Sequence, residues 1–228
     1  ANNLNFKAES GVLFNKEMTA LLQYPRGKEG EAFDYSVNGN TKTAYKYVIP
    51  EGVKTVADKS FSTPVRLNKV IFPASVETIG EYAFNNFEEA FELYEIEFAP
   101  ASRLKTIKSN AFFNITSLKK ATVTAIIPPQ VGTLSFPQTG FEIHVPIETL
   151  ENYTANWRIA GAEFKGTVVS AKFNLTLFNA ESLAASTLVT AYVTQLPTPI
   201  RDGYVFAGWY DSESGGKRVS FPLGLYQD

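Results

Sequence analysis

His144 is the only histidine in the 228 residues, so any chemistry that needs an imidazole depends on it. A general base or metal ligand works with partner groups at a recognisable spacing, and no such motif accompanies it. Ile143-His144-Val145 reads instead as a strand in which the imidazole points to the face opposite its apolar neighbours. A Ser-His-Asp arrangement would need this same histidine, and the chain has no Gly-x-Ser-x-Gly elbow to present a serine. There is no cysteine, which excludes disulfides, thiol nucleophiles and thiolate metal sites. Glu88, Glu89, Glu92, Glu95 and Glu97 form the densest acidic cluster, but no Asp-x-Asp-x-Asp-Gly loop is present and a solvated insertion is the better reading. Paired carboxylates for glycoside hydrolysis remain open on composition, yet nothing in the pattern puts two of them in one pocket. Arg26-Gly27-Lys28-Glu29-Gly30 lacks the strand–loop–helix setting of a phosphate loop and reads as a turn. Trp157 and Trp209 could stack on a sugar; packing in a core is the better reading. No cofactor or metal is expected, and no enzymatic activity.

The elements that would position these groups repeat. Val48-Ile49-Pro50-Glu51-Gly52-Val53-Lys54-Thr55-Val56, followed by Ser60-Phe61, returns as Ile71-Phe72-Pro73-Ala74-Ser75-Val76-Glu77-Thr78-Ile79-Gly80 with Ala83-Phe84. It returns again as Glu97-Phe98-Ala99-Pro100-Ala101-Ser102-Arg103-Leu104-Lys105-Thr106-Ile107 with Ala111-Phe112. Leu67, Leu93 and Leu118 each lead in three residues before the aligned strand position. That position falls at Tyr47, Val70, Ile96, Ala121 and Ile143, unequal steps of roughly 25 residues that fit leucine-rich repeats. Val70 and Phe72 alternate with Ile71 as a strand with one buried face requires. Pro73 ends that strand, because it has no N–H to give to a ladder. One such unit cannot bury its own apolar face; stacked neighbours can.

These residues resemble the BspA-type leucine-rich repeat of bacterial surface proteins, carried by the Ile-Pro-x-x-Val-x-x-Ile-Gly-x-x-Ala-Phe phrase and its leucine lead-in, over roughly residues 10 to 160. The second copy matches best; the first carries Ala57 and the third Lys108 where glycine is usual, and the fourth and fifth are degenerate. Gly11-Val12-Leu13-Phe14-Asn15-Lys16-Glu17-Met18-Thr19-Ala20-Leu21-Leu22 reads as an opening hairpin. Ile147, Leu150, Tyr153 or Thr154, and Trp157 recur at helical spacing, as a helix closing the far end would. From about Gly166 the pattern changes, with Lys172-Phe173-Asn174-Leu175-Thr176-Leu177-Phe178 and Leu188-Val189-Thr190-Ala191-Tyr192-Val193 as strands. Pro199-Ile200-Arg201-Asp202-Gly203-Tyr204-Val205-Phe206-Ala207-Gly208-Trp209-Tyr210 closely resembles the Listeria–Bacteroides repeat, or internalin B-repeat, which implies a small β-grasp-like module. That family usually adds a closing Thr-Leu-Tyr-Ala-x-Trp strand, whereas here Leu225-Tyr226-Gln227-Asp228 ends the sequence, so the module is either cut short or completed differently.

The expected fold is therefore mainly β: a short, irregular leucine-rich-repeat solenoid of about five turns over 1–165, then a β-grasp-like module over 166–228. The register places Val48, Ile71, Glu97, Thr122 and His144 in one outward column and Lys46, Lys69, Glu95, Lys120 and Glu142 in another, with Tyr45, Asn68, Tyr94 and Lys119 one step back. Tyr45, Lys46, Lys69, Ile71, Tyr94, Glu95, Glu97, Lys120, Thr122, Glu142 and His144 make the candidate face. Its mixed charge and tyrosines suit a protein or glycan of a host or bacterial surface. A net charge of -2 gives no basic stripe for nucleic acid. No stretch approaches the ~18 apolar residues of a membrane span. Ala1-Asn2-Asn3-Leu4-Asn5 is not a signal peptide and reads as a mature or trimmed start. The two resemblances imply an extracellular or cell-surface adhesion protein; a monomer is expected. A spacer segment of a longer surface protein is the alternative, and a glycan-active enzyme the more distant one.

Overall fold

The computed structural model describes residues 3–37, 40–61, 66–84, 92–137, 140–146, 149–159, 167–170, 173–179, 182–189, 192–193, 198, 207–210, 218 and 223–224. Glu88 and Glu89 of the acidic insertion, Ile147, and the 199–206 stretch of the second module lie outside these residues.

Three antiparallel strands open the chain: β1 (Phe6–Glu9), β2 (Val12–Asn15) and β3 (Ala20–Gln23). The β2–β3 hairpin is the one read from the sequence, and Asn15 stabilises its turn by accepting the Ala20 N–H at 2.8 Å. A second hairpin follows, β4 (Glu31–Val37) with β5 (Asn40–Val48). The chain then winds between two sheets. Short strands β6 (Thr55–Val56), β8 (Thr78–Ile79), β10 (Thr106–Ile107) and β12 (Gln130–Val131) stack in parallel beyond β3. Longer strands β7 (Lys69–Phe72), β9 (Glu95–Phe98), β11 (Lys120–Thr122) and β13 (Glu142–Val145) stack in parallel beyond β5. Four turns carry strands in both sheets; the fifth, begun by β13, returns through α1 (Leu150–Ile159). The aligned column is the one the repeat predicts, with Tyr47 opposite Val70, Val70 opposite Ile96, and Ala121 between Ile96 and Ile143.

Stacking is what stabilises the turns. Val70, Ile96, Ala121 and Ile143 are fully buried from the long-sheet side, and Val56, Ile79 and Ile107 from the short-sheet side. Between them runs a column of rings. Tyr24 stacks on Phe61 at 5.1 Å, Phe61 on Phe84 at 4.3 Å, Phe84 on Phe112 at 4.9 Å, Phe112 on Phe136 at 5.4 Å, and Phe136 on Trp157 at 5.5 Å. Each such pair is worth about 0.5–1.5 kcal/mol beyond area burial. The backbone follows the same column: the Phe61 N–H donates to Ala83 O, Phe84 to Ala111 O and Phe112 to Ser135 O. The residue two before each phenylalanine, Lys59, Tyr82, Asn110 and Leu134, has φ of 52–59°. The tight turn imposes this left-handed conformation whatever the side chain.

The helix closes the stack as expected. Tyr153 and Trp157 are buried; the Tyr153 hydroxyl donates to Ala125 O at 2.8 Å and the Trp157 indole to Pro129 O at 3.1 Å. Beyond it, β14 (Thr167–Ser170) pairs in parallel with β13, so the long sheet continues past residue 165 to a seventh strand. The remaining strands form two further pairs, β15 (Phe173–Asn179) with β16 (Ser182–Val189) and β17 (Tyr192–Val193) with β18 (Leu223–Gly224). Gly208, with φ of 136°, leaves room for the side chain of Arg218, whose backbone forms an antiparallel β-bridge with Tyr210.

Candidate binding face

Residues directly opposite in a ladder share a face of the sheet. Val70 and Ile96 point into the core, so Lys69, Ile71, Glu95 and Glu97 point out. The same rule carries across every strand of the long sheet. One outward row is Lys46, Lys69, Glu95, Lys120, Glu142 and Thr167; the next is Val48, Ile71, Glu97, Thr122, His144 and Val169. These are the two columns read from the sequence, now extended by β14. Tyr94 lies one step outside the rows, at the rim where β9 begins, whereas Tyr45 lies within β5 opposite Ala32, and the alternation that sends Lys46 outward turns Tyr45 to the other face of the sheet, so it leaves the candidate face. Tyr94 is 57% exposed and Tyr45 half-buried. Asn68 holds that rim together: its carbonyl oxygen accepts the Tyr45 N–H at 2.9 Å and its amide donates to Glu92 O at 3.2 Å.

The charges on this face neutralise one another. Lys69 Nζ lies 2.6 Å from Glu97 and 3.7 Å from Glu95, and Lys120 Nζ lies 3.1 Å from the other oxygen of Glu95. Glu97 is only 8% exposed although it points outward, because its neighbours crowd over it. Thr122 beside it is equally enclosed. An enclosed carboxylate needs a partner, and the lattice of two lysines and two glutamates supplies one to each. At the far edge His144 Nε2 lies 3.1 Å from Glu142. Burial, with Lys120 adding to it, holds the imidazole below its usual pKa against the opposing pull of Glu142. A neutral imidazole results near neutral pH. Among the described residues no group of acidic and histidine side chains is arranged to hold a metal ion, and His144 has no hydroxyl partner to activate.

The sequence reading missed the first strand of the face. Glu31, Phe33 and Tyr35 of β4 are opposite Lys46, Ala44 and Lys42, so they extend the same outward surface. The Phe33 and Tyr35 rings lie 6.3 Å apart, and Ala44 beside them is 2% exposed although it is outside the main core. Tyr35 at 41% and Val48 at 49% exposure stand towards opposite ends of this strand pair, with the charged Glu31 and Lys46 between Phe33 and Val48. The signal was available: Glu31-Ala32-Phe33-Asp34-Tyr35-Ser36-Val37 alternates with period two and runs into Asn38-Gly39, a strong hairpin cue. It departs from the repeat phrase, and alignment on that phrase passes over it.

Among the described residues, two buried hydroxyls elsewhere lack partners. Tyr24 Oη and Ser60 Oγ are buried without a hydrogen bond, and desolvation pushes the Tyr24 pKa up to about 12. They sit in the first turn, where the aromatic column begins. No described helix is long and apolar enough to cross a membrane.

Two family models match the chain. The Listeria-Bacteroides repeat domain matches residues 176–224. One solved structure, the crystal structure of the pneumococcal vaccine antigen PcpA, is similar at 19% identity and a TM-score of 0.36, over 74% of this chain and 48% of that one. The chain thus spans about half the length of that protein. No curated protein sequence matches it. The BspA type leucine rich repeat region matches residues 33–150 in six copies, and by that match over half of its length the chain belongs to the BspA-type leucine-rich-repeat family.

Proposed function

We propose that this chain is a non-catalytic, extracellular or cell-surface protein that recognises a protein or glycan through the outer face of its long sheet. The observation that carries this reading is the division of that face. Its charges are spent on one another, while Tyr35, Val48 and Tyr94 stay exposed along one end and the rim. Exposed aromatic and apolar side chains set beside polar groups are characteristic of recognition sites. Lattice-held lysines and glutamates are already ordered, so a ligand that hydrogen-bonds to them loses little side-chain entropy on binding. The surface setting is supported by the two repeat families, both of which this chain matches.

The test is an array of glycans and host-matrix proteins probed with the wild type, Tyr94→Ala and Val48→Asp. Thr78→Asn, on the outer face of the short sheet, is the control. Binding lost in the first two and kept in the control is the expected result. Binding unchanged in Tyr94→Ala and Val48→Asp, or no binding to any component, would refute the reading and leave the repeat array a spacer.

A further inference from the structure

We propose that β4 is a self-pairing edge through which two copies of this chain join their long sheets. Among the described residues nothing pairs with the outer side of β4; the long sheet ends there. The strand runs for seven residues, and it is exposed on both sides of the sheet, at Ala32 and Asp34 on one and Glu31 and Tyr35 on the other. A long, unpaired strand without proline or lysine is a template for another strand. The other sheet begins differently. Its edge strand β1 has four residues and carries Lys7 and Glu9 in an ion pair at 3.2 Å, which is how edges are kept from pairing. At the opposite end of the short sheet, β12 has two residues.

The side chains of β4 select a second copy of itself. A two-fold axis perpendicular to the sheet keeps both outer faces on one side, which restricts the antiparallel registers to those that match face to face. Centred on Phe33, that pairing sets Phe33 opposite its symmetry mate, Tyr35 opposite Glu31, and Ala32 opposite Asp34. An aromatic pair then lies on the axis, each tyrosine hydroxyl can donate to a carboxylate, and no like charges are directly opposite. Centring one residue later, on Asp34, would set carboxylate against carboxylate. The Glu31–Lys46 contact is long at 3.9 Å, so Glu31 is free to turn towards a tyrosine across the axis. The result is one sheet of twice seven strands, with two copies of the recognition face presented side by side. Two-site engagement of a repetitive surface then gains avidity without any new contact.

The chain has no cysteine, so single introduced cysteines report the register directly. Directly opposed antiparallel residues have Cα atoms roughly 4.5–5.5 Å apart, within disulfide reach. The experiment is sedimentation of the wild type up to roughly 100 μM, where an interface of micromolar affinity is populated, beside oxidation of Phe33→Cys, Ala32→Cys, Asp34→Cys and, as an exposed control, Asn152→Cys. The expected result is a concentration-dependent dimer of the wild type, lost in Phe33→Lys, with Phe33→Cys crosslinking at least tenfold faster than the other three. A wild type monomeric throughout overturns the proposal. So does a dimer that persists in Phe33→Lys or crosslinks equally at Asn152. Fastest crosslinking at Asp34 overturns the register and the charge argument behind it.

Discussion

Replacing Phe84 with alanine removes the ring at the middle of the column that joins successive turns. Phe84 is fully buried, stacked on Phe61 at 4.3 Å and 12°, on Phe112 at 4.9 Å and 16°, and edge-on to Phe72 at 5.8 Å. Deleting a buried phenylalanine side chain costs about 3–5 kcal/mol through lost transfer energy and the cavity left behind. Two stacks, each worth about 0.5–1.5 kcal/mol, place this site at the upper end, near 5 kcal/mol. That rivals the whole stability of many domains. The loss is also local. Each turn of a repeat array touches only its neighbours, so the variant weakens both interfaces of the second turn and leaves the later ones intact. Urea unfolding in a Trp209→Phe background separates the two effects, because Trp157 then reports only on the closing helix. Circular dichroism should show the main loss at lower urea than in the parent. Trp157 fluorescence should change at higher urea than the circular dichroism midpoint. Phe84→Leu, which keeps most of the volume, should fall between the variant and the parent. A loss below about 1.5 kcal/mol for Phe84→Ala would refute the stacking argument, and coincident transitions would refute its nearest-neighbour form.

Four further outcomes follow from the same geometry. Ser60→Ala should be neutral or stabilise by about 1 kcal/mol in chemical denaturation, since it removes an unpaired buried hydroxyl at a position where Ala83 and Ala111 stand in the next two turns; destabilisation beyond 1 kcal/mol would mean the hydroxyl has a partner. Gly80→Ala should cost about 2 kcal/mol or more by the same assay, because its Cβ would press on the backbone of Ala57 and Asp58 in the preceding turn; a neutral result would show that the turns can slide apart. Lys69→Met should cost about 2 kcal/mol, between the values for exposed and fully buried pairs, because Glu97 loses its close cation and Glu95 one of two; added salt should change this difference little. His144 titrates below its unfolded value of about 6.5, so the unfolded chain binds the extra proton first and stability falls as pH drops from 7 to 5; His144→Gln should lose less over that interval, and an equal loss would show that the histidine is not responsible.

The repeat was legible because its physics is periodic. Val70, Ile96, Ala121 and Ile143 had to align for any turn to bury its apolar side, and they do. The capping helix was legible for a related reason: Tyr153 and Trp157, four apart, cover the open end with rings whose polar atoms reach Ala125 and Pro129. Phe136 was harder to find. Leu134-Ser135-Phe136 is the fourth copy of the turn that carries Phe61, Phe84 and Phe112, but the strand before it is followed by Ile126-Ile127-Pro128-Pro129 instead of the usual phrase. Tyr24 was hidden because a tyrosine from the opening hairpin stands where a repeat would supply phenylalanine. The face was legible in its rows and not in its electrostatics. Spacing told which residues point outward; only the fold shows that Lys69 bridges to Glu97 diagonally and that Glu95 is shared between two lysines. The contribution of β4 depended on pairing between hairpin strands, which no repeat alignment contains.

What decides the proposed function is whether the outer face of the long sheet is where this chain meets its partner. The most direct measurement is surface binding to the array component that the wild type captures, comparing Tyr94→Ala and Val48→Asp with the short-sheet control Thr78→Asn at equal fold stability. Binding is expected to be at least tenfold weaker in both outer-face variants and unchanged in the control. Equal binding by all of them, or loss confined to Thr78→Asn, would contradict the proposed function.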